Sequence, residues 1–288
     1  MLSFFNKQIA IWPDAAARYA ALQLCRRRAV KLNSLEGEPE IILLFNPARA
    51  VSTAAKVDAA SIAKRPCFLC GKNRPQQQIV NDALQSAGFE ILVNPFPILN
   101  HHFTIVNNRH IPQDEYPVKA MIQAAELFPD FAFFYNGARA GASAPDHLHF
   151  QAVPKTYIPL LEIVSLKHSS HKKDIIWSGH LGVFHPAGFW SMKGDEQTIT
   201  SLPAVPDKDL SNLFVWKEGE DTLRGMLFPR HRHRAASYPN PMVSPGALDV
   251  AGLMVTVKED DFNNLTPDLI ADIYKATCYS PTETPSPV

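Results

Sequence analysis

Short apolar runs bounded by Pro, Gly and Asn dominate the first half of the chain and predict β-strands. These runs lie at residues 41–46, 89–97, 102–108, 131–138 and 147–154. In the last run alternate side chains point to the same side, which places His147, His149 and Gln151 on one face. The first half therefore predicts a sheet in which one strand carries a row of polar groups.

The second half repeats this character without repeating the sequence. Its predicted strands lie at residues 180–190, 213–219, 223–233 and 248–262. We expect these strands to pair antiparallel, as in the first half. The four histidines at positions 168, 171, 180 and 185 have no spacing typical of a site, and we interpret them as surface or strand residues.

Three segments carry helix signals. Residues 14–31 are rich in Ala, Leu and Arg, and Asp14 is placed as their N-cap. Residues 119–127 are a second candidate, and a last helix is predicted over 266–278, with Thr266 as its N-cap. The 24 prolines argue against a helical bundle, because proline is excluded from helix interiors. The pattern predicts an α+β fold with a mostly antiparallel sheet and flanking helices.

Composition limits the class of protein. With 288 residues, 46% of them hydrophobic, the chain can bury a sizeable core. Lys and Arg number 28, as do Asp and Glu, so the basic excess typical of nucleic-acid-binding proteins is absent. The sequence contains no run of about 20 apolar residues, so no membrane span is predicted. We expect two closely packed units, at residues 1–155 and 156–280, followed by a disordered tail at 281–288.

Cysteine usage indicates a reducing compartment. Cys25 and Cys278 are isolated, whereas Cys67 and Cys70 form a single C-x-x-C, which is unlike a secreted disulfide framework. Asp14 also interrupts the apolar stretch that a signal peptide would need. We therefore predict a cytoplasmic protein.

Candidate chemistry concentrates in residues 136–151, where a turn rich in Gly and Ala leads into the strand with His149 and Gln151. Imidazole is a competent nucleophile toward phosphorus when one ring nitrogen is unprotonated and the other donates to a fixed acceptor. The turn could present backbone N–H groups to phosphate, and Ser143 could add a hydroxyl. The alternative is a half-buried strand with two polar positions.

The C-x-x-C of Cys67 and Cys70 is a candidate metal site, because two thiolates two residues apart can hold one ion. A disulfide, a redox pair or two buried free thiols would also fit this spacing.

Residues 147–152, His-Leu-His-Phe-Gln-Ala, resemble the histidine-triad (HIT) superfamily, specifically its galactose-1-phosphate uridylyltransferase and dinucleoside tetraphosphate phosphorylase branch. Within that branch they are most similar to the GDP-hexose phosphorylases. The resemblance implies a HIT-like fold of two related halves, with His149 as the nucleophile that becomes nucleotidylated and Gln151 as its phosphate partner. The usual H-P-H reads His147-Leu148-His149 here.

The resemblance covers residues 46–154 strongly and 205–265 weakly, and it has no counterpart in 157–204. Residues 94–110 are similar to the first strand pair of the superfamily, which implies a nucleotide contact for Asn94 and for His102 in preference to His101. The resemblance also implies a ligand set for a structural Zn²⁺. It consists of Cys67, Cys70, His110 and His147.

Further candidate ligand-binding residues come from the turn and from the basic positions. They are Asn136, Gly141, Ser143, Arg49 and, from the basic cluster at 228–234, Arg230. The predicted function is nucleotidyl transfer to phosphate or a sugar phosphate, from a nucleoside diphosphate-sugar or a dinucleoside polyphosphate. A hydrolase of the same superfamily and a catalytically silent nucleotide-binding protein are the alternatives. A monomer and a homodimer are both open.

Overall fold

The structure is a computed structural model that describes residues 1–32, 39–50 and 58–285. The strands in these ranges are β1 Arg26–Val30, β2 Ile41–Phe45, β3 Phe89–Val93, β4 Phe103–Asn107, β5 Phe131–Asn136, β6 His149–Pro154, β7 Ile175–Trp177, β8 Trp190–Gly194, β9 Ser211–Glu218, β10 Thr222–Pro229 and β11 Leu253–Thr256. The α-helices are α1 Leu2–Ile11, α2 Pro13–Ala21, α3 Ala59–Ala63, α4 Val118–Leu127, α5 Pro159–Ser169, α6 Glu196–Thr200, α7 Ala247–Val250, α8 Glu259–Asn264 and α9 Pro267–Thr277.

One large antiparallel sheet organises the molecule. Its eight strands run in the order β3-β4-β6-β5-β9-β10-β8-β7, so four strands from each half meet where β5 pairs with β9. A second sheet has the order β1-β2-β11, in which β2 and β11 are parallel. The predicted α+β class with a mostly antiparallel sheet and flanking helices is confirmed. The division into units 1–155 and 156–280 stays a prediction.

The central strand β5 is buried along its whole length, which explains its continuous apolar sequence. Phe131, Phe133 and Tyr135 pack on one side, against a core covered by α4 and by part of the N-terminal helices. Ala132 and Phe134 point to the opposite side, into a core shared with the small sheet and the C-terminal helices. Each large apolar side chain buried in this way stabilises the fold by about 1.5–3 kcal/mol. The large sheet is thus covered on both faces.

Strand β6 follows the same alternation. Phe150 and Ala152 belong to the first core, and Val153 belongs to the second. His149 and Gln151 share the face of Val153, because side chains two residues apart lie on the same side of a strand. The polar row therefore lies on the side of the sheet that faces the small sheet.

The predicted helix over 14–31 is wrong in its second part. Helix α2 ends at Ala21, and residues 26–30 form strand β1 with β2 as its partner. Arg28 donates to the carbonyls of Phe262 and Leu265 at 2.9 and 2.6 Å. These long-range contacts outweigh the local helix preference of the Arg-rich segment.

Two other segments differ from their predicted strands. Residues 180–190 are mostly irregular, and only Trp190 enters a strand, β8. Residues 248–262 form the end of α7, then β11, then α8, rather than a single strand. The last helix, α9, agrees with the prediction. Thr266 is its N-cap, because its hydroxyl accepts from the N–H of Leu269 at 3.3 Å.

His168 and His185 are both buried and lie outside strands, so their interpretation as surface or strand residues is wrong. His168 lies in α5, and its ring contacts the Ser191 hydroxyl at 2.7 Å and the Lys173 carbonyl at 2.8 Å. His185 packs against the rings of Phe189, Phe228 and Tyr274.

The first residue of the predicted disordered tail, Pro281, is bound to the rest of the protein. Its carbonyl accepts from the indole N–H of Trp177 at 2.6 Å. Residues 286–288 of that tail lie outside the described residues. Among the helices that the structure describes, none has both the length and the apolar character needed to cross a membrane.

Candidate active site and metal centre

A cavity of about 490 Å³ lies over the face of the sheet that carries the polar row. Seven residues predicted for catalysis or binding line it, namely Arg49, Asn94, Asn136, Gly141, Ser143, His149 and Gln151. The second half of the chain contributes a further polar group, namely His233, Arg234, Ser244 and Asp249. The cavity is therefore built by both halves of one chain.

His149 is held at the start of β6 by backbone and side-chain contacts. Its N–H donates to the Gln113 side-chain oxygen, and its carbonyl accepts from the Gln113 amide, both at 2.8 Å. The ring Nδ1 lies 2.8 Å from the carbonyl oxygen of His147, which can only accept, so Nδ1 carries the proton. Nε2 is then unprotonated, and no residue in the described part of the chain hydrogen-bonds to it.

Burial keeps this imidazole neutral. Only 3% of His149 is exposed, and desolvation lowers its pKa to about 4, with the His147 carbonyl opposing the shift. A neutral ring with one lone pair at a cavity wall is the form in which imidazole acts as a nucleophile.

Gln151 is oriented by His102. The Nδ1 of His102 accepts from the N–H of Ile98 at 3.2 Å, so its Nε2 carries the proton and donates to Gln151 Oε1 at 2.8 Å. Since Oε1 is occupied in this way, the Gln151 –NH₂ group is the one available to the cavity. A carboxamide donor is suited to a phosphoryl oxygen.

His102 itself does not line the cavity, so its predicted role in substrate binding is wrong. It is fully buried, and burial lowers its pKa to about 3. Its ring lies behind Gln151, where it positions the amide instead of touching a ligand. His101 packs against Phe5, with ring centroids 4.6 Å apart.

The turn after β5 is pressed against the segment before α7. Asn136 Oδ1 accepts from the N–H of Ala247 at 2.7 Å and from the Asn212 amide at 2.9 Å. Gly141 has φ +102°, and a Cβ there would lie 2.8 Å from the Cα of Gly246. Only glycine permits both this backbone conformation and this close approach.

Arg230, predicted from the basic cluster to bind a ligand, is instead a buried structural residue. It is 2% exposed, and its Nε, Nη1 and Nη2 groups donate to protein acceptors and leave no donor for a ligand. These acceptors are Thr277 O, Asn212 Oδ1, Pro245 O, Arg232 O and His233 O. Arg234, four residues further along, lines the cavity instead.

Arg49 and Asp249 are cavity residues of opposite charge. Burial lowers the pKa of Arg49 to about 10, an effect that the charge of Asp249 opposes. Burial raises the pKa of Asp249 to about 6, although its carboxylate accepts from the N–H groups of Val255 and Gly246. Sequence analysis missed Asp249, because residues 248–262 were interpreted only as a strand.

The four predicted metal ligands meet at one point beside the cavity. One ligand atom from each of Cys67, Cys70, His110 and His147 lies within 4.8 Å of all the others. Cys67 Sγ is 3.3 Å from His147 Nδ1, and Cys70 Sγ is 3.3 Å from His110 Nδ1. All four cysteines of the chain are free thiols, so the disulfide alternative does not apply.

The surroundings of this cluster suit a metal ion. His147 Nε2 lies 2.8 Å from the Asn107 carbonyl, which fixes the proton there and leaves Nδ1 free to ligate. Burial raises the pKa of the Cys67 thiol to about 11, so a bound cation is needed to stabilise its thiolate. The residues therefore form a cluster that could bind a metal ion.

The metal cluster and the candidate nucleophile share one residue. The side chain of His147 belongs to the cluster, while its carbonyl accepts from His149 Nδ1. Anything that fixes His147 therefore also fixes the ring of His149.

Comparison with solved structures identifies the fold. Crystal structures of the yeast Ap4A phosphorylase Apa2, of its complex with Ap4A and of its complex with AMP match with TM-scores of 0.57, 0.56 and 0.56. Their sequence identities are 14%, 14% and 13%. The matches cover 93%, 96% and 94% of this chain and 97%, 98% and 97% of the respective yeast chains. The expected fold of the dinucleoside tetraphosphate phosphorylase branch is confirmed.

Sequence comparison gives a second result. A search of curated proteins finds no match. A family described as "Domain of unknown function (DUF4922)" matches residues 4–154, just over half of the chain and the part that holds both the C-x-x-C and the H-x-H-x-Q. This chain belongs to the DUF4922 family, and its fold is that of the yeast Ap4A phosphorylase.

Proposed function

We propose that this protein is a nucleotidyl-transferring phosphorylase that acts through a covalent nucleotidyl intermediate on His149. Its substrate is a dinucleoside polyphosphate or a nucleoside diphosphate-sugar. The observation that supports this most is the ring of His149, protonated at Nδ1 by its bond to the His147 carbonyl and placed on the cavity wall beside Gln151. The likeness to a fold that yeast uses for an Ap4A phosphorylase supports the same substrate class.

In the first step, the Nε2 lone pair of His149 attacks the α-phosphorus. The bond between that phosphorus and its bridging oxygen breaks, and the electron pair leaves with the distal phosphate group. The ring becomes cationic, and the His147 carbonyl stabilises its Nδ1–H. Gln151 and Ser143 donate to the equatorial oxygens as their charge develops.

In the second step, orthophosphate attacks the same phosphorus from the side that the leaving group vacated. The bond between phosphorus and Nε2 breaks, the nucleoside diphosphate is released, and His149 returns to its neutral form. Two displacements avoid bringing both anionic substrates to the phosphorus at once.

Zn²⁺ is the ion that we propose for the cluster of Cys67, Cys70, His110 and His147, because two thiolates and two imidazoles are its common structural ligands. When bound, it would neutralise the thiolates and fix His147. Its role is structural, since the cluster's link to the nucleophile runs through a backbone carbonyl.

One chain is sufficient for this site, because the cavity draws residues from both halves of the sequence. We also propose a cytoplasmic location, which the four free cysteines support.

The proposed function predicts phosphate-dependent turnover. Purified protein is incubated with Ap4A and with ADP- and GDP-sugars, with and without orthophosphate, and the products are separated by anion-exchange chromatography. Release of a nucleoside diphosphate only when orthophosphate is present supports the phosphorylase. A nucleoside monophosphate formed equally well without orthophosphate would indicate the hydrolase alternative, and binding without any product would indicate a silent nucleotide-binding protein.

A further inference from the structure

The wall of the cavity contributed by the second half carries a compact polar cluster. The Ser244 hydroxyl accepts from Arg234 Nε at 2.8 Å and lies 3.0 Å from His233 Nε2. All three residues line the cavity that also contains His149. One hydroxyl thus joins a guanidinium and an imidazole at the cavity surface.

This cluster is held rigidly from behind by Arg230. Its guanidinium donates to the His233 carbonyl at 3.0 Å and to the Pro245 carbonyl at 3.2 Å. Those two residues belong to the two chain segments that present the cluster. A buried guanidinium with all its donors paired fixes both segments, which is the preorganisation that ligand recognition requires.

The cluster lies next to the turn that we assign to the α-phosphate. Gly141, within that turn, lies close to Gly246, since a Cβ at position 141 would be 2.8 Å from the Gly246 Cα. Ser244 precedes Gly246 by two residues, a distance of at most about 7 Å along an extended chain. A phosphate group adjacent to one held by Ser143 would therefore come within reach of Ser244 and Arg234.

Charge also favours an anion at this position. Arg49 and Arg234 both line the cavity, so each half of the chain supplies it with a guanidinium. Arg234 donates through Nε to the Ser244 hydroxyl, and His233 is neutral because burial lowers its pKa to about 3. A guanidinium at a cavity wall is suited to a phosphate group.

We infer that Arg234, Ser244 and His233 form the subsite for the distal phosphoryl group, which is the leaving phosphate of the first step and the acceptor phosphate of the second. The inference rests on the proposed function, because it assumes that the α-phosphate lies between His149 and Ser143. The ligand class is a nucleoside diphosphate or a longer polyphosphate, recognised beyond its first phosphate.

Binding measurements test this subsite without requiring catalysis. The affinities of AMP and ADP, and of GMP and GDP, are measured by isothermal titration calorimetry, and the ratio within each pair is compared between variants. The ratio does not depend on which base the protein prefers. We expect the diphosphate to bind more tightly in the unchanged protein, and Arg234→Ala to weaken diphosphate binding by roughly 10- to 100-fold while monophosphate binding stays the same.

The chain offers a matched control in Arg232, which is exposed and does not line the cavity. Arg232→Ala removes the same charge two residues away and is expected to leave both affinities unchanged. Ser244→Ala, which keeps Arg234 but removes the shared hydroxyl, is expected to lower diphosphate affinity by a smaller factor. Circular dichroism and thermal unfolding establish that each variant is folded.

The outcomes separate this inference from the proposed function. If no nucleotide binds, the proposed function fails and the subsite fails with it. If nucleotides bind but the diphosphate binds no more tightly than the monophosphate, the subsite is refuted while the proposed function stands. The same holds if Arg234→Ala and Arg232→Ala change the affinities equally. An equal loss of monophosphate affinity in Arg234→Ala would assign Arg234 to the α-phosphate and also overturn the inference.

Discussion

The reactivity proposed for His149 depends on which nitrogen holds the proton. The carbonyl of His147 and the buried position together give a neutral ring with its lone pair on Nε2. A hydrogen bond also orients Gln151: His102 Nε2–H donates to Gln151 Oε1 and so fixes the direction of the amide. Two hydrogen bonds within the protein thus decide which atoms of His149 and Gln151 face the cavity.

Sequence patterns located the candidate nucleophile and the amide beside it, but not the residues that hold them. Alternation along one strand is enough to place His149 and Gln151 together, because the period of a strand is fixed. Arg230 and Arg234 are indistinguishable in sequence, since both belong to one basic cluster, and only the acceptors around Arg230 reveal that it is structural. Gln113, which clamps the backbone of His149, gave no sequence signal at all.

Buried histidines make the stability of the fold depend on pH. His185 lies in an apolar cluster, its Nε2 has no hydrogen-bond partner among the described residues, and burial lowers its pKa to about 4 from 6.5. The unfolded chain therefore binds this proton more readily than the folded chain. The stability that the fold gains from a neutral His185 is fully present above pH 6.5 and is lost as the pH falls toward 4.

We predict that His185→Leu reduces the acid sensitivity of the fold. In the unchanged protein His185 alone should lower the free energy of unfolding by about 2 kcal/mol between pH 7 and pH 5. In the variant, the free energy of unfolding should fall by correspondingly less between these two pH values, as measured by urea unfolding. His180→Leu, at an exposed position, is the control. Identical pH dependence in the two variants would show that His185 titrates normally.

At the scale of elements, the cluster of Cys and His side chains proposed to bind Zn²⁺ connects three separate pieces of the chain. Cys67 and Cys70 precede β3, His110 follows β4, and His147 precedes β6. Their ligand set was predictable only from the family resemblance, because a C-x-x-C alone does not specify its partners. Arg65 and Asp146, 2.9 Å apart, add a further link between the first and last of these pieces.

Metal analysis tests this cluster. Purified protein should contain about one Zn²⁺ per chain by inductively coupled plasma mass spectrometry, since two thiolates and two imidazoles complete one tetrahedral site. Cys67→Ser should lose the metal and unfold at a lower temperature, whereas Cys25→Ser, which changes a cysteine outside the cluster, should retain it. Well-folded protein that contains no metal would refute the zinc proposal and leave the phosphoryl chemistry intact.

Strand β1 shows why element prediction fails where packing is long-range. Its Arg-rich sequence favours a helix locally, yet pairing with β2 and the contacts of Arg28 with the segment around α8 determine the outcome. By contrast, β5 was predicted well, because a strand buried on both faces has an apolar run that no surface element shares.

At the scale of the whole molecule, the cavity exists because segments far apart in the sequence meet. Strand β2 pairs in parallel with β11, which brings Arg49, just after β2, close to Asp249, just before β11. No local pattern in the sequence predicts a pairing over such a separation. The large sheet, which joins four strands from each half, provides the floor on which these parts assemble.

The central claim is a covalent bond between His149 and a nucleotide. Protein incubated with Ap4A, or with an ADP- or GDP-sugar, in the absence of orthophosphate is denatured and analysed by intact-mass and peptide mass spectrometry. We predict a gain of one nucleotidyl group, the mass of a nucleoside monophosphate less one water, on the peptide containing His149. This gain should be absent in His149→Ala and retained in the exposed-position control His180→Ala. An adduct that persists in His149→Ala, or no adduct with any of these donors, would contradict the claim.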